Sequence, residues 1–176
     1  DTPPSVTAVR AEPASADEGA PVTLSATVEN PSGRELTWTW DPGDGSPARS
    51  GSALSSIVHR YRDNGEFTVT LAVDDGNGGL AEGTGTVSVQ NAIPDITALT
   101  GPDEAARDEP VELRAVARDP GSDDVLTYHW TFGDGTTASG PEMATTTHRY
   151  REPGIHTVQL AVEDDDGGRS TRTLMV

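Results

Sequence analysis

Two short stretches of the sequence contain residue types that occur in catalytic and binding loops. Each has a tryptophan, two further residues and then Gly-Asp-Gly: "WDPGDG" begins at Trp40 and "WTFGDG" at Trp130. Such a loop could bind a phosphate, hold a calcium ion or form a turn. A phosphate loop leads into a helix and usually includes a lysine, whereas this chain has no lysine and strand patterns surround both stretches. We therefore expect tight turns, with glycine at positive φ and with Asp44 and Asp134 capping backbone N–H groups.

Two histidines stand at a fixed distance from two tyrosines. His59 and His148 precede Tyr61 and Tyr150 by two residues, so the members of each pair share one face of a strand. A zinc site would need more ligands, and the chain has only two other histidines. We expect instead a packed, hydrogen-bonded histidine beside a tyrosine whose hydroxyl bonds to nearby backbone.

The sequence repeats itself once, after about 90 residues. Two copies of this length do not make a stacked solenoid. "PVTLSATVENPSG" recurs as "PVELRAVARDPGS", and "HRYRDNGEFTVTLAVDD" recurs as "HRYREPGIHTVQLAVED". The matches are spread over the whole unit, which indicates duplication of a domain. We predict two small domains, residues 1–90 and 91–176, with a boundary near Gln90–Pro94. The linker should be short and stiffened by Pro94.

Apolar and polar residues alternate along several segments of each repeat. Such alternation marks strands with one face on a core, and turn-forming clusters separate the segments. About seven short strands per repeat predict an all-β fold of two tandem Ig-like antiparallel β-sandwiches. Trp40 and Trp130 should be the core tryptophans of strand C, with Trp38 on the same face. The alternating positions are Val22, Leu24, Ala26, Val28, Phe67, Val69, Leu71 and Val73, then Val111, Leu113, Ala115, Ala117, Val158, Leu160 and Val162.

Both repeats resemble the PKD domain, the immunoglobulin-like module of the polycystic-kidney-disease type. The residues that carry the resemblance are Trp38, Trp40, Gly43, Asp44, Gly45, His59, Tyr61, Gly65, Val69, Leu71, Val73, Asp75 and Gly78, then Trp130, Phe132, Gly133, Asp134, Gly135, His148, Tyr150, Gly154, Val158, Leu160, Val162, Asp164 and Gly167. Pro42 departs from the pattern, and we expect it to kink and bulge the first turn. The resemblance implies an extracellular or cell-surface setting and a non-catalytic role as a spacer or adhesion unit.

Acidic residues collect in "RDPGSDD" and "EDDDGG" of the second repeat. In an Ig-like sandwich the B–C loop, the F–G loop and the start of strand A meet at one pole, and calcium prefers oxygen ligands. The candidate ligands are Asn91, Asp119, Asp124 and Asp164. The resemblance supports the first three, because some PKD modules of collagenase-like enzymes bind calcium near the start of strand A and the B–C loop. The alternative is that these residues only make solvated turns. The first repeat offers a thinner set: Asp1, Glu29, Asn30, Asp74 and Asp75.

The charge and composition argue against several classes of function. The chain has 29 acidic residues against 12 arginines and a net charge of −17, which repels phosphate backbones, so we expect no nucleic-acid partner. No apolar run has membrane-spanning length, so we expect no membrane insertion in this segment. Cysteine, lysine and the motifs G-x-S-x-G and H-E-x-x-H are missing, which argues against an enzyme. The high charge favours a monomer.

These observations predict a non-catalytic extracellular spacer or protein-interaction module from a larger secreted or cell-surface protein. Its partners would be the flanking domains of that protein, and calcium is the candidate cofactor. The alternative is an accessory module of a secreted hydrolase that binds polysaccharide or fibrous protein. That alternative predicts a row of exposed aromatic rings on one sheet face, whereas a spacer predicts an acidic surface without such a row.

Overall fold

The computed structural model describes residues 2–176, and its internal contacts divide the chain into two units, residues 1–90 and 91–176. In the described part, both units consist of β-strands joined by turns and loops. No helix in this part is long and apolar enough to cross a bilayer. The structure therefore confirms the all-β class, and each unit is a sandwich of two sheets.

The first domain has a three-stranded sheet, β1-β3-β6, and a five-stranded sheet, β2-β8-β7-β4-β5. All neighbouring strands pair antiparallel except β2 and β8, which pair parallel. The strands are β1 (Ser5–Glu12), β2 (Ser15–Asp17), β3 (Pro21–Glu29), β4 (Thr37–Asp41), β5 (Arg49–Gly51), β6 (Ser56–Arg60), β7 (Gly65–Asp74) and β8 (Leu80–Gln90).

The second domain has a three-stranded sheet, β13-β10-β9, and a four-stranded sheet, β12-β11-β14-β15, all antiparallel. It repeats the first domain strand for strand, except for β2, which has no counterpart among its strands. The strands are β9 (Asp95–Thr100), β10 (Val111–Arg118), β11 (Thr127–Thr131), β12 (Thr137–Gly140), β13 (Thr145–His148), β14 (Thr157–Glu163) and β15 (Arg169–Met175).

A tryptophan lies at the centre of each core. Trp40 and Trp130 are 0% and 1% exposed, and each pairs across the sheet with a buried leucine, Leu71 or Leu160. Each indole N–H donates to a backbone carbonyl, at 2.7 Å in the first domain and 2.8 Å in the second, so the polar end of the ring has a partner inside the protein. The core role of both residues is confirmed. Trp38 is half-buried and packs against the first core from its margin.

The residues at the predicted alternating positions form much of the two hydrophobic cores. Most of the alternating positions are buried, while Ala26, Val28, Phe67 and Ala117 are half-buried and pack against the cores. The polar residues between them face outward, which leaves the loops at the two poles as the places where chemistry is concentrated.

Replacing Leu160 with alanine should lower the free energy of unfolding of the second domain by about 2–5 kcal/mol, because its side chain is fully buried against Trp130. The matched control is Val116→Ala, since Val116 is 48% exposed on the outer face of β10. That change should alter stability by no more than about 0.5 kcal/mol. Scanning calorimetry measures both variants, and equal effects would contradict this assignment of faces.

Candidate functional site

The Gly-Asp-Gly stretches are tight turns that follow β4 and β11. All four of their glycines have positive φ, between 79° and 88°. A side chain at the first glycine is also excluded by space, because a Cβ on Gly43 or Gly133 would lie 2.2 or 2.6 Å from the carbonyl oxygen of Thr68 or Thr157. The turn therefore presses directly onto the backbone of the neighbouring strand, and the predicted turn chemistry is confirmed.

The aspartate of each turn binds a histidine from the opposite sheet. One oxygen of Asp44 accepts hydrogen bonds from the N–H (3.0 Å) and hydroxyl (2.5 Å) of Ser46, and its other oxygen accepts from Nε2 of His59 at 2.6 Å. Asp134 binds Thr136 (3.0 and 2.6 Å) and His148 (2.7 Å) in the same way. The two histidines lie in β6 and β13, so this bond joins the two sheets of each sandwich.

The tyrosine of each His-x-Tyr pair adds a second link between the sheets. The hydroxyl of Tyr61 donates to the carbonyl of Pro42 at 3.1 Å, and that of Tyr150 donates to the carbonyl of Phe132 at 3.0 Å. Each tyrosine ring meets the histidine ring edge-on with centroids 4.7 Å apart. The prediction of a packed, hydrogen-bonded histidine beside the tyrosine is therefore confirmed, with the turn aspartate as the partner. The tyrosine corner is not formed as predicted, because the hydroxyl bonds to backbone at the end of a strand of the opposite sheet and not to backbone a few residues upstream.

These contacts change the acidity of the groups involved. Burial raises the pKa of Asp134, but hydrogen bonds from Thr136 and His148 outweigh it and lower the pKa to about 2. The pKa of Asp44 is lowered as well, since its bonds to Ser46 and His59 outweigh burial. Burial, with the nearby charges of Asp44 and Asp41, raises the pKa of Tyr61 to about 12. The turn therefore keeps its carboxylate ionised and its phenol protonated.

The bulge expected from Pro42 is absent, so that prediction was wrong. Both turns have the same glycine angles and the same tyrosine contact. In the second domain Phe132 donates its N–H to Thr136 at 3.1 Å. Proline has no N–H, and in the first domain the side chain of Asp41 instead accepts from the N–H of Gly43 at 2.9 Å. A local change of hydrogen-bond partner thus accommodates the proline.

At the other end of β11, the structure brings all four candidate calcium ligands together. Asp119 directly follows β10, Asp124 precedes β11, Asp164 directly follows β14, and Asn91 precedes β9. One carboxylate oxygen from each of the three aspartates lies within 4.8 Å of the others. The amide nitrogen of Asn91 lies 3.2–3.3 Å from both oxygens of Asp164. We call these four residues the acidic pole.

Asp164 is the fixed centre of the acidic pole. It is 5% exposed, and its Oδ1 accepts hydrogen bonds from the N–H groups of Asp166 (3.0 Å) and Gly168 (2.7 Å). A Cβ on Gly168 would lie 2.2 Å from Oδ2 of Asp164, so only glycine fits under this carboxylate. The loop between β14 and β15 is therefore folded around the aspartate, which holds the side chain in one orientation.

Two buried oxygens of the acidic pole have no hydrogen-bond partner within residues 2–176: Oδ1 of Asn91 and Oδ2 of Asp119. Buried polar atoms are rarely left in this state unless something else satisfies them. Burial raises the pKa of Asp119; the hydrogen bond from Gly121 opposes this, and the charges of Asp164 and Asp165 add to it. Calcium takes several oxygens at about 2.3–2.6 Å, so oxygens that share one ion lie within about 5 Å of each other. The donor set and its spacing fit that ion.

The first domain has a counterpart of Asp164, but it has no counterpart of the acidic pole as a whole. Asp75 is 7% exposed and accepts from Asn77 and Gly79, both at 2.8 Å, as Asp164 does from its own loop. Asn30, at the position of Asp119, has its side chain bonded to Arg34 and Ser32. Asp74 caps Gly76 at 2.8 Å. Among the described residues, this domain holds no acidic trio of its own, that is, no three acidic side chains with oxygens within 4.8 Å of one another. Glu29 belongs to no acidic trio, and Asp1 lies outside the described residues.

Sequence inspection missed the aspartate–histidine bond. Both partners had been singled out, but separately, one as a turn residue and the other as a neighbour of tyrosine. A signal was present, because a Gly-Asp-Gly and a His-x-Tyr recur together in both repeats at nearly the same separation. The acceptor of the tyrosine hydroxyl was also unexpected, since it lies 18 or 19 residues upstream.

The fold and these two poles define the class of protein: a tandem pair of immunoglobulin-like β-sandwich modules. The family model described as PKD domain matches residues 2–90 and again residues 91–176, so the chain belongs to the PKD domain family. The PKD domain is itself a non-catalytic module.

Two curated relatives are much longer than this chain. Human polycystin-1 is 30% identical over 149 residues, which is 83% of this chain and 3% of that protein. Collagenase ColA of Bacillus cereus is 35% identical over 75 residues, which is 43% of this chain and 8% of that protein. A two-domain fibronectin type III segment of chicken tenascin has a TM-score of 0.51 at 13% identity, covering 97% of this chain and 98% of its own. That likeness concerns the fold alone.

The variant Asp134→Asn should destabilise the second domain by about 1 kcal/mol at pH 6, because a partly exposed charged hydrogen bond is lost. The pKa of Asp134 is about 2 in the folded protein and 3.8 ordinarily. Its stabilising effect is therefore complete only above about pH 5 and is lost as the pH falls through 3.8 towards 2. The gap between wild type and variant should close over that range.

Thermal unfolding measured from pH 2 to pH 7 tests this dependence. Asp95→Asn is the control, since Asp95 is an exposed aspartate of the same domain at the start of β9. A constant gap between wild type and Asp134→Asn at all pH values would contradict the proposed role of the charge.

Proposed function

We propose that this chain is a non-catalytic spacer and protein-interaction module of a larger extracellular or cell-surface protein, with a calcium site at the acidic pole of its second domain. The observation that carries the calcium part is the convergence of Asn91, Asp119, Asp124 and Asp164, with two buried oxygens left without hydrogen bonds. The spacer part follows from membership of a family of non-catalytic modules. The partners are the domains that flank the pair in the parent protein.

The setting proposed here comes from the relatives. A human polycystin and a bacterial collagenase are proteins of different kinds, yet both contain a region similar to this chain that makes up only 3% or 8% of their length. A module found in such different contexts is best explained by a mechanical or positioning role. We extend to this chain the extracellular or cell-surface location that a collagenase and a polycystin suggest.

The aromatic residues favour the spacer over a polysaccharide- or fibre-binding module. A surface that stacks on sugars needs exposed rings in a row. Six of the eight Phe, Tyr and Trp side chains are buried, and the other two, Trp38 and Phe67, are half-buried and pack against the first core. All eight lie in the described part of the chain, and their faces are used for packing.

Calcium at the acidic pole would join three segments of the second domain. Asp119 and Asp124 come from the β10–β11 loop, Asp164 comes from the β14–β15 loop, and Asn91 precedes β9. An ion held by these residues neutralises mutual repulsion between carboxylates and satisfies the buried oxygens. It would also fix the segment from Asn91 to β9 against the loops of its own domain, which is the property a spacer needs.

Calcium should bind the wild-type chain and raise the melting temperature of the second domain, by an amount that corresponds to about 2.7 kcal/mol at 100 times the dissociation constant. The variant Asp119→Asn should weaken binding at least about tenfold, or about 1.4 kcal/mol, because one charged ligand is lost. The same variant should be more stable than wild type without calcium. The pKa of Asp119 is raised in the fold, so its ionised form is disfavoured there at neutral pH.

Calorimetric titration and thermal unfolding, each with and without chelator, measure these effects. Asp123→Asn is the matched control: it removes one charge from the same loop, and Asp123 is exposed and belongs to none of the acidic trios. Its calcium affinity should stay close to that of wild type. No heat and no thermal shift in the wild type would overturn the calcium proposal, and equal losses in both variants would reduce it to general charge attraction.

The chain should remain in the supernatant when mixed with insoluble polysaccharide or fibrous collagen and centrifuged at physiological salt. This follows from the packed aromatic rings and the net charge of −17. A control module with an exposed aromatic row should sediment under the same conditions. Saturable sedimentation of this chain would favour the accessory-module alternative.

A further inference from the structure

Asparagine residues that precede glycine can modify themselves, and the chain has two of them, Asn64 and Asn77. In such a pair the backbone nitrogen of the glycine attacks the side-chain amide, and the missing Cβ of glycine leaves that approach open. Of the other asparagines, Asn30 precedes a proline, whose nitrogen has no hydrogen to lose, and Asn91 precedes an alanine, whose methyl group hinders the attack. The first domain therefore holds both candidate pairs.

The pair formed by Asn77 and Gly78 lies in the turn between β7 and β8. Because β7 ends at Asp74 and β8 begins at Leu80, neither residue belongs to a strand, and both are exposed. Gly78 has a φ of 92°, and a Cβ placed on it would have no atom within 4 Å apart from its chain neighbours. The backbone nitrogen of Gly78 thus lies outside the strand ladder, and the space around it is open.

The pair formed by Asn64 and Gly65 lies at the start of β7, where Gly65 pairs with Val89 of β8. Bonded and non-bonded pairs alternate along an antiparallel ladder, and the bond from the N–H of Asp75 to the carbonyl of Gly79 fixes that alternation. Counting back from Asp75 in steps of two makes Gly65 and Val89 a bonded pair, so the N–H of Gly65 donates to the carbonyl of Val89. Val89 is buried, and β2 pairs with β8 on its other side, so this amide lies within three paired strands.

We propose that Asn77 is a site of spontaneous modification in the first domain, and that strand pairing protects Asn64 from the same reaction. The nitrogen of Gly78 gives up its proton and bonds to Cγ of Asn77, the bond between Cγ and Nδ2 breaks, and ammonia leaves with that proton. The product is a cyclic succinimide. Water then opens the ring at Cγ to give aspartate, or at the main-chain carbonyl carbon to give isoaspartate, in which the main chain runs through the side chain.

The two products have different effects on the turn. Oδ1 of Asp75 accepts hydrogen bonds from the N–H groups of Asn77 and Gly79, both at 2.8 Å. Aspartate at this position keeps the same backbone and adds a carboxylate where the second domain has Asp166, whose N–H bonds Asp164 in the same way. Isoaspartate inserts an extra main-chain atom between the two donors, so both bonds cannot keep their present geometry. The isoaspartate product therefore loosens the turn around Asp75.

The experiment follows the 176-residue chain at mildly alkaline pH, where loss of the amide proton is favoured, both in the folded state and unfolded in urea. Mass spectrometry of fragments locates each conversion, because replacement of NH₂ by OH changes the fragment mass. In the folded chain Asn77 should convert at least about tenfold faster than Asn64, since the amide of Gly65 must first leave the ladder. In urea the two rates should become similar, because the ladder is lost.

Two variants serve as matched controls. Asn77→Ser should abolish the acidic species that accumulates in the folded chain, whereas Asn64→Ser should leave its rate of formation unchanged. An Asn77 that reacts in urea but not in the folded chain would overturn the proposal, because the turn would then hold the two reacting groups apart. Equal rates at Asn64 and Asn77 in the folded chain would show that strand pairing gives no protection. The same preference for Asn77 in urea would assign the selectivity to the local sequence and contradict a structural cause.

Discussion

The hydrogen bond between an aspartate in a tight turn and a histidine in the opposite sheet is the constraint on which each sandwich depends. The chain has no cysteine, so no disulfide can cross from one sheet to the other as it does in antibody domains. The bonds Asp44–His59 and Asp134–His148 cross that gap instead, at 2.6 and 2.7 Å. They require the turn to lie against the neighbouring strand, which only glycine permits, and they place the tyrosine hydroxyl within reach of a backbone carbonyl.

The carboxylates at the two ends of the second domain have opposite pKa shifts. At the turn, a single carboxylate is surrounded by donors and its pKa falls. The acidic pole lies about 17 Å away along the five residues of β11. There burial, with the added charges of Asp164 and Asp165, raises the pKa of Asp119. The first arrangement stabilises the fold by itself. The second raises the free energy of the folded state in the absence of a cation, and this is the physical basis of the calcium site that we propose there.

The sequence was sufficient to predict features that depend on periodicity and duplication. Alternation at Val22, Leu24, Val158 and Leu160 identified core-facing strands, and the fixed place of Trp40 and Trp130 identified the centre of each core. Loop order alone indicated that Asp119, Asp124 and Asp164 would meet. The partner of each histidine could not be predicted, because it depends on which atom lies across the gap between the sheets. The effect of Pro42 could not be predicted either, because it depends on whether a neighbouring side chain supplies another hydrogen bond within the turn. Periodicity within a strand carries no information about the contacts that this strand makes with the opposite sheet.

The raised pKa of Tyr61 and the lowered pKa of Asp44 give the first domain a defined range of pH tolerance. Between them, the two shifts keep the carboxylate charged and the phenol neutral from mild acid to strong alkali. At the alkaline end, tyrosine in the unfolded chain ionises near its ordinary pKa of 10.0, while in the fold it resists to about 12. The contribution of Tyr61 to stability therefore declines as the pH rises from 10 to 12. The contribution of Asp44 declines only as the pH falls below the ordinary pKa of aspartate, 3.8. The two shifts therefore set the limits of the pH range over which these side chains contribute their full stability to the first domain.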